Sequence, residues 1–594
     1  MGREYVSEMF LPDAFHQTPH PRAASALVAA LLSVLADSVL RHREYRALLA
    51  LRTVAGSMRF LGLFALVFLQ VAALFYLVTL LPWPLRVAVL LFAVFLVIVQ
   101  LSYWLTLNQF MTATDLFLAL TVSGNHRVEA ILSFFTPRVF FYALPYVLVL
   151  SLLLFAPSAT TFRETLTLSL LPALYLVASN YLLFRRVPER SFHLHPLTSF
   201  LRAALCCRFE YHHTYHGPRD VLPDVSPSPR PLDSLIYVID ESVRGSNLSL
   251  NGYPRATTPF LQSLEERGLL KNLGICVAAS SFSHVSNAYL LTGHNTFPDQ
   301  DFRTGKNPTI FDYAKKMGYE TLYIDVNQIY LYSLLKAAGD GPVRGLDRWM
   351  NDKTFKDLNI DLETTKDLGV ARIISNLLNK NSGYFILVNK RGLHFHYRSS
   401  YPDDPASVVW QPVMKALQAI DPSEAGREKL VNTYDNGIRF QVDEFFRELV
   451  TGTTHKNYAV LYTSDHGQTL SEHGQAYTHM KPDPEIVDVP EFIVSGEKYG
   501  KQALLDGIGP GIRVSHLNNF ATLLDLMEVP LSLRVRTYEK SIFALTAEDN
   551  SERPYMSGSL HGFGDYVVKS ISSPAAADWG VSRPVGTGSN DCEN

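Results

Sequence analysis

The feature that most constrains the fold of this chain is a set of long apolar runs within its first 190 residues. At about 1.5 Å per residue, a helix of about 20 apolar residues crosses a bilayer core of about 30 Å. Four runs have this character and predict membrane-spanning helices: residues 58–81, 87–106, 139–155 and 165–184. Aromatic residues suited to a membrane interface stand near the ends of these runs: Trp83, Trp104, Tyr142 and Tyr181.

Residues 23–40 form a fifth, shorter apolar segment, which contains Asp37. Two interpretations are open: a fifth span, or an amphipathic helix on the membrane surface. The difference matters because each span moves the chain to the opposite side of the membrane. With four spans, the excess of arginine beside the first and last spans favours a cytoplasmic location for the chain beyond residue 190, and a fifth span reverses this. These arginines are Arg41, Arg43, Arg46, Arg52, Arg185, Arg186 and Arg190.

The charge and the cysteine content exclude several classes of protein. The chain has 594 residues, with 53 Lys+Arg against 56 Asp+Glu and a formal net charge of −3, so bulk positive charge cannot drive nucleic-acid binding. Its 4 cysteines form no CxxC pair and have no regular spacing. Neither a disulfide framework nor a thiolate zinc site is therefore indicated, and any metal must use other ligands.

Beyond the apolar region, short apolar runs alternate with longer segments of helical periodicity. The runs at 235–240, 321–325, 384–389, 458–463 and 491–495 predict buried strands, and residues 308–318, 368–380 and 430–450 predict helices. This alternation predicts an α/β domain around a largely parallel sheet. The sequence thus predicts four segments: a transmembrane helical domain over 1–190, a membrane-proximal linker over 191–231, an α/β domain over 232–550 and a flexible tail over 551–594.

Polar residues follow two of the predicted strands at the edge where such folds bind ligands. Glu241 comes after the first strand, and Asp465 and His466 come after YAVLYT. Carboxylate oxygens and an imidazole nitrogen suit zinc or a similar divalent ion. An Asp-His-Gly turn by itself is more typical of a capped loop, so the hypothesis of a metal site depends on all three residues meeting.

A serine-rich stretch before a predicted helix, AYLLTG, offers hydroxyl groups for this site. Ser281 and Ser283 lie in the stretch SSFSHVS. A helix N-terminus favours an alkoxide and an incoming phosphate, and a nearby metal lowers the pKa of a hydroxyl. The alternative interpretation is that these serines cap the helix and fill the loop.

Three blocks together resemble the membrane phosphoethanolamine transferases of the alkaline phosphatase and sulfatase superfamily. They are IYVIDESVRGSNLSLNGYPRATTPFL (236–261), VNTYDNGI (431–438) and YTSDHGQTLSEHGQAYTHMKP (462–482). The similarity extends in order over most of residues 232–530. It implies an α-helical transmembrane domain followed by an α/β alkaline-phosphatase-like (sulfatase-like) catalytic domain.

The resemblance also implies roles for particular residues. Glu241, Asp465 and His466 match the family's metal ligands, which implies one or two Zn²⁺ ions or another divalent metal. The family's nucleophile is a threonine in a Cys-Gly-Thr-Ala-Thr pattern that this chain lacks. By its spacing from the serine that opens the next helix, Ser283 matches the nucleophile, and Ser281 is the alternative.

The resemblance implies a substrate-binding role for three more residues. His479 in YTHMKP and His394 in RGLHFHY match histidines that contact the phosphoryl group or a second metal, with His396 as a rival to His394. Asn327 matches an asparagine near the donor head group. The family's periplasmic disulfides have no counterpart, because the soluble half contains only Cys276 and Cys592.

The activity implied by the resemblance is phosphoethanolamine transfer from phosphatidylethanolamine to lipid A or an envelope glycan, through a covalent phospho-enzyme. The implied location is the bacterial inner membrane, with five spans and a periplasmic catalytic domain. Residues 23–40 then cross the membrane, although the arginines after them lie on the side that the positive-inside rule disfavours. The implied partners are the bilayer, the lipid donor and the acceptor, without nucleic acid.

Three alternative functions remain at the level of sequence. A phosphoglycerol transferase shares the metal and the nucleophile and differs only in the head group. A sulfatase-like hydrolase requires Cys or Ser in a Cys/Ser-x-Pro/Ala-x-Arg pattern, and Ser283-His-Val-Ser-Asn lacks both the Pro/Ala and the Arg. A non-catalytic envelope protein would tolerate replacement of both Ser281 and Ser283.

Overall fold

The computed structural model of the chain contains two compact units, a helical unit that ends at His212 and an α/β unit that follows it. The structure describes residues 21–49, 54–121, 137–157, 161–186, 195–212, 215, 217–224, 232–327, 343–360, 365–416, 418, 420–475, 477–497, 507–562 and 566–572. The predicted order of apolar helices followed by an α/β domain is confirmed.

The described part of the helical unit contains eight α-helices. They are α1 (Pro21–Leu40), α2 (His42–Leu49), α3 (Val54–Thr79), α4 (Trp83–Leu107), α5 (Ala113–Thr121), α6 (Arg138–Leu152), α7 (Phe162–Arg186) and α8 (Pro196–His212). Five segments in the described residues are long and apolar enough to cross a membrane: Pro21–Leu40, Leu61–Thr79, Trp83–Leu107, Arg138–Phe155 and Arg163–Leu182. The segment predicted as a linker, 191–231, contains α8, which belongs to the helical unit.

Helix α1 contributes a face of small residues to the core of the helical unit. Ala26, Ala29, Ala30 and Val34 recur at three- and four-residue intervals and are buried against residues of α3. Small side chains let helices approach closely, which is the main source of packing energy between helices in lipid. The weakest of the predicted spans is therefore an integral member of the bundle.

Asp37, the acidic residue within α1, is fully buried and forms an ion pair inside the protein. Arg41 lies one helical turn further along, and its Nε donates to Asp37 Oδ1 over 2.8 Å. The hydroxyls of Tyr146 on α6 and Tyr45 on α2 donate to the two carboxylate oxygens over 2.6 and 2.7 Å. An ionisable group in an apolar bundle needs such partners, so Asp37 is compatible with a spanning helix.

The α/β unit is built on a seven-stranded sheet with the order β2-β7-β6-β1-β5-β3-β4. Its strands are β1 (Ser234–Asp240), β2 (Leu270–Val277), β3 (Glu320–Asp325), β4 (Arg348–Met350), β5 (Tyr384–Asn389), β6 (Tyr458–Ser464) and β7 (Asp488–Ser495). The five strands from β6 to β4 are parallel, and β7 and β2 are each antiparallel to their neighbours. All five predicted strands are present.

Helices cover both faces of this sheet. They are α9 (Pro259–Glu266), α10 (Ser283–Thr292), α11 (Arg303–Lys306), α12 (Ile310–Lys316), α13 (Asp352–Asp357), α14 (Lys366–Lys380), α15 (Glu424–Ile438), α16 (Phe445–Gly452) and α17 (His516–Leu526). Successive side chains of β1 point to opposite faces, so Tyr237 joins the core under α10, α12 and α17, and Val238 joins the core under α9, α14 and α15. Burial on both faces explains the continuous apolar runs.

Strands β2 and β4 were not predicted from the sequence. In β2 the apolar pattern is interrupted by Lys271 and Asn272, and the register shifts between Asn272 and Ile275. Gly274 adopts a positive φ of 78° at this irregularity. Strand β4 is only three residues long and lies at the edge of the sheet.

The prediction of a flexible tail over 551–594 is wrong for its first part. Strands β8 (Arg553–Gly558) and β9 (Tyr566–Ile571) form an antiparallel hairpin. Tyr555 and Met556 are buried, and Met556 exchanges backbone hydrogen bonds with Ala279 and Ser281. Apolar side chains within a polar stretch therefore anchor it to the core. Residues 573–594 lie outside the described residues.

Breaking the buried ion pair of the helical unit should destabilise that unit strongly. Arg41→Met leaves the Asp37 carboxylate buried without its cation, and we expect a loss of about 3–5 kcal/mol. Cys206 and Cys207 on α8 are buried, so a thiol-reactive fluorophore can report unfolding in a Cys276→Ala, Cys592→Ser background.

The matched control is Arg22→Met, which breaks a partly exposed pair with Glu164 whose side chains are 19% and 30% accessible. Such pairs contribute at most about 1 kcal/mol. Equal shifts in the unfolding temperature of the two variants would contradict a special role for the buried pair.

The C-terminal hairpin should likewise be required for stability of the α/β unit. Tyr555 is 1% exposed, and its hydroxyl donates to the Pro482 carbonyl over 2.8 Å. Tyr555→Ala should cost about 3–5 kcal/mol in urea unfolding of the detergent-solubilised chain. Val568→Ala, on the exposed strand β9, should change stability by no more than about 0.5 kcal/mol. A flexible tail predicts no effect from either change.

Candidate active site

The candidate site lies where two neighbouring parallel strands end. Strands β1 and β6 pair in parallel, and Asp240 lies opposite Ser464 in the last pair of the register. Glu241 follows Asp240, and Asp465 and His466 follow Ser464, so the register by itself brings the three residues to one edge of the sheet. The backbone N–H of Asp465 donates to the Asp240 carbonyl over 2.9 Å and extends the pairing up to the site.

Glu241, Asp465 and His466 form a compact, buried cluster. One ligand atom from each residue lies within 4.8 Å of the others. His466 Nε2 is 3.6 Å from Glu241 Oε1 and 3.8 Å from Asp465 Oδ2. All three residues are at most 4% exposed.

Neighbouring groups hold these three side chains with their lone pairs directed at one another. His466 Nδ1–H donates to the Gly467 carbonyl over 2.8 Å, which leaves Nε2 as an acceptor. Asp465 Oδ1 accepts the backbone N–H groups of Ser242 and His466, over 3.0 and 2.7 Å. Glu241 Oε1 accepts the Ser242 hydroxyl over 2.6 Å.

The cluster fits a divalent cation. Within the described part of the chain, Asp465 Oδ2 is buried and accepts no hydrogen bond. Burial and, after it, the adjacent Asp465 carboxylate raise the pKa of Glu241 well above its ordinary value. Two carboxylates and an imidazole nitrogen whose ligand atoms lie within 4.8 Å of one another form a ligand set suited to zinc or a similar ion.

Ser283 is the hydroxyl that the fold brings to this cluster. It is the first residue of α10, and its Oγ lies 3.2 Å from His466 Nε2. Ser283 is partly exposed, whereas Ser281 is fully buried and donates its hydroxyl to Ser557 Oγ over 2.7 Å. The fold therefore brings the hydroxyl of Ser283, and not that of Ser281, next to the cluster, and the role of Ser283 as a nucleophile stays a prediction.

Other serines of the stretch serve the loop itself. Ser286 Oγ bonds both the N–H and the carbonyl of Ser280, over 3.0 Å each. Strand β8 supports the same loop, because the Met556 N–H donates to the Ala279 carbonyl over 2.9 Å and the Met556 carbonyl accepts from Ser281 N–H over 3.2 Å. The interpretation of these serines as loop structure thus holds for Ser280, Ser281 and Ser286.

The predicted substrate-binding residues lie at different distances from the cluster. The rings of His479 and His466 are nearly parallel, with centroids 5.4 Å apart. Burial, followed by the proximity of His466 and His394, lowers the pKa of His479 well below its ordinary value. Asn327 Nδ2 donates to Glu241 Oε2 over 2.7 Å, so Asn327 contacts a candidate metal ligand directly. The substrate roles of these residues stay predictions.

The two candidate histidines of RGLHFHY differ in exposure. His396 is buried, with 5% of its surface exposed, whereas His394 is partly exposed. His394 Nδ1–H donates to the Phe395 carbonyl over 2.8 Å. Burial is the main cause that lowers the pKa of His479, and the proximity of His466 and then of His394 adds to it, which indicates that His394 lies near His479.

Three residues that were not predicted from the sequence bond the cluster or the loops that carry it. Ser242, with a positive φ of 64°, bonds both Glu241 and Asp465. Arg244 pairs with Glu472 and so connects the loop after β1 to the loop after β6. Lys390 is fully buried and pairs with Asp240 over 2.6 Å. The sequence feature that could have predicted this pair is a lysine directly after the apolar strand YFILVN, because an unpaired charge in that position is costly.

Comparisons with known proteins agree with this architecture. The sulfatase family model matches residues 233–529, which is half of the chain. The Kdo(2)-lipid A phosphoethanolamine 7''-transferase of Escherichia coli K12 is 25% identical over 272 residues, which cover 45% of this chain and 45% of that protein. The phosphatidylethanolamine transferase Mcr-2 of Escherichia coli is 25% identical over 394 residues, which cover 62% of this chain and 69% of that protein.

A solved structure extends the likeness to the helical unit. The integral membrane lipooligosaccharide phosphoethanolamine transferase A (EptA) from Neisseria meningitidis matches with a TM-score of 0.61 at 20% identity. The match covers 85% of this chain and 95% of EptA, and at this identity it shows a shared fold. The alignment to the first curated relative spans less than half of that relative's length. The chain belongs to the sulfatase family, within the alkaline phosphatase and sulfatase superfamily, and its relatives include proteins named as a phosphoethanolamine transferase and as a phosphatidylethanolamine transferase.

Proposed function

We propose that this chain is a membrane-bound phosphoethanolamine transferase that uses Ser283 as its nucleophile. The observation that carries the proposal is the partly exposed Ser283 hydroxyl, 3.2 Å from His466 Nε2 at the edge of a buried cluster of metal-ligating groups. The names of the relatives support phosphoethanolamine as the transferred group and lipid A as an acceptor. An envelope glycan is the alternative acceptor.

The donor in this proposal is phosphatidylethanolamine. Five apolar helices support a membrane location, and an enzyme anchored in the bilayer can use a lipid donor without extracting it. We assign the chain to the bacterial inner membrane with its α/β unit in the periplasm, where the lipid donor and the acceptor meet. Five spans, with the N-terminus inside, give this orientation.

In the first step, Ser283 Oγ forms a bond to the phosphorus of the donor. The bond from phosphorus to the diacylglycerol oxygen breaks, and the proton that Ser283 loses balances the one that diacylglycerol gains. The Nδ1–H group of His466 stays hydrogen-bonded to the Gly467 carbonyl throughout, so the Nε2 lone pair stays directed at the cation site beside Ser283. A neutral His479, with its lowered pKa, can donate a hydrogen bond to a phosphoryl oxygen.

In the second step, an acceptor hydroxyl or phosphate oxygen attacks the same phosphorus. The ester bond to Ser283 Oγ breaks, and the serine takes up the proton that the acceptor releases. A divalent ion held by Glu241, Asp465 and His466, with Zn²⁺ as our proposal, would lower the pKa of the Ser283 hydroxyl and offset phosphoryl charge. Ser242 and Asn327 keep the Glu241 carboxylate in place for this role.

Replacing the nucleophile should abolish transfer. Ser283→Ala removes the atom that forms the covalent intermediate, and we expect at least about a thousand-fold loss in the rate of head-group transfer. The assay uses the detergent-solubilised full chain, fluorescent phosphatidylethanolamine and purified lipid A. Intact-protein mass spectrometry should detect phosphoethanolamine on the wild-type chain and none on the variant.

Ser281→Ala is the matched control, because it removes a hydroxyl two residues away that bonds Ser557. It should retain transfer and lose about 1 kcal/mol of stability. Retained turnover in Ser283→Ala with loss in Ser281→Ala would move the nucleophile to Ser281. Transfer from phosphatidylglycerol in place of phosphatidylethanolamine would instead identify a phosphoglycerol transferase.

Removing divalent ions should abolish transfer while the chain remains folded. Dialysis against a chelator removes the divalent cation that Glu241 and Asp465 would hold next to Ser283. Added Zn²⁺ should restore the rate of transfer. Metal content is measured by elemental analysis alongside the assay. Glu241→Gln should lower the amount of zinc retained, and undiminished transfer by metal-free protein would refute the metal-dependent mechanism.

A further inference from the structure

Lys390 is a buried lysine that pairs with Asp240, the residue before Glu241 of the candidate metal cluster. It follows β5, the strand adjacent to β1, and its side chain is 0% exposed. Its Nζ lies 4.4 Å from the centre of the Phe445 ring. A charge in such a place is costly unless it is paired and hydrogen-bonded, so its partners indicate why it is there.

The principal partner of Lys390 is Asp240, the last residue of β1. Lys390 Nζ donates to Asp240 Oδ2 over 2.6 Å and to the Gln441 carbonyl over 2.5 Å. The Tyr462 hydroxyl donates to the same Asp240 oxygen over 2.8 Å. Asp367 Oδ2 lies 3.9 Å from the ammonium group.

The second oxygen of Asp240 connects this pair to the cluster. Asp240 Oδ1 accepts the backbone N–H of Glu241 over 2.9 Å. The Asp240 carboxylate thus links the Lys390 ammonium to the backbone of Glu241, whose side chain belongs to the candidate metal cluster. Rotation of the Asp240 carboxylate would release that backbone N–H group.

The loop after Lys390 is fitted closely to the same carboxylate. Gly392 has a positive φ of 51°, and a Cβ atom there would lie 2.1 Å from Asp240 Oδ1. The Leu393 N–H donates to the Glu241 carbonyl over 2.9 Å.

Asp367 binds the same loop, because it accepts the N–H groups of Arg391 and Gly392 over 3.2 and 2.9 Å. Lys390 therefore stands where the Glu241 loop and the loop leading to His394 meet.

We propose that Lys390 is a positioning residue, which acts through Asp240 to hold Glu241 in the orientation that binds the cation. The inference rests on the metal site of the proposed function. Without the ammonium group, Asp240 and Asp367 are two buried carboxylates with no cation between them, next to the two carboxylates of the cluster. The repulsion between these carboxylates would move Asp240 away from the Glu241 N–H group. The Glu241 side chain would then lose the orientation that binds the cation.

The experiment measures zinc affinity of the detergent-solubilised full chain by competition with a chelating dye. Lys390→Met keeps the length and apolar stem of the side chain and removes its charge. Loss of groups that orient metal ligands typically lowers affinity about 10- to 100-fold, and we expect a loss in this range. The unfolding temperature of the metal-free protein is recorded for each variant.

A double-mutant cycle tests whether Lys390 acts through Asp240. Asp240→Asn keeps an oxygen that can accept the Glu241 N–H and removes the charge. The zinc affinity of the double variant should be no lower than that of the single variant with the lower zinc affinity. The two changes break the same linkage, so their effects should not add. Additive losses would overturn the proposal. If Lys390→Met alone does not fold, the double variant is compared with Asp240→Asn, and a further loss of about tenfold or more overturns it.

Asp299→Asn is the control for general instability. The buried Asp299 carboxylate caps α11 by accepting the N–H groups of Arg303 and Thr304, over 2.6 and 2.9 Å. It should lower the unfolding temperature and leave zinc affinity unchanged. If Asp299→Asn weakens zinc binding as much as Lys390→Met does, or if Lys390→Met binds zinc like wild type, the proposal is wrong. A wild-type chain that binds no zinc would refute the metal site of the proposed function itself.

Discussion

The site depends on the parallel pairing of β1 with β6. Because the two strands end in register, the residues that follow them meet without any long-range adjustment, and Glu241 lies beside Asp465. A shift of the pairing by one residue would turn every side chain of the strand to the opposite face. The apolar side chains on both faces of the sheet oppose such a shift, so the burial that stabilises the domain also sets the position of the candidate metal ligands.

In both units a buried carboxylate is paired with a buried cationic side chain. In the helical unit Asp37 is paired with Arg41, and in the α/β unit Asp240 is paired with Lys390; all four side chains are at most 1% exposed. Each carboxylate also accepts hydroxyl hydrogen bonds from tyrosines, which satisfy its remaining lone pairs. The cluster at the strand ends departs from this rule, since Asp465 Oδ2 has no donor among the described residues. A carboxylate oxygen without a donor, next to two further groups that can bind a metal, is compatible with a bound cation.

Much of the fold was predictable, because it follows from local pattern. Continuous apolar runs predicted five of the seven strands of the large sheet and the long apolar helices, and the polar residues after two strands predicted which side chains meet. Strand β2 escaped prediction because Lys271 and Asn272 break its pattern. The β8–β9 hairpin escaped because its anchor, Tyr555 with Met556, is short and lies in a Ser- and Gly-rich stretch whose composition is typical of a tail.

The amino-acid sequence by itself determined the membrane character of the first half, the α/β class of the second and the chemical identity of the cluster, because these depend on residue type and spacing along the chain. Tertiary structure decided which serine reaches the cluster. The sequence favoured Ser283 by its spacing and kept Ser281 as the alternative. In the structure Ser281 bonds Ser557 of strand β8, and Ser283 at the start of α10 lies next to His466. It also decided that Lys390 and Asp240, 150 residues apart, form one buried pair. Contacts between distant segments arise from packing, which no local pattern encodes.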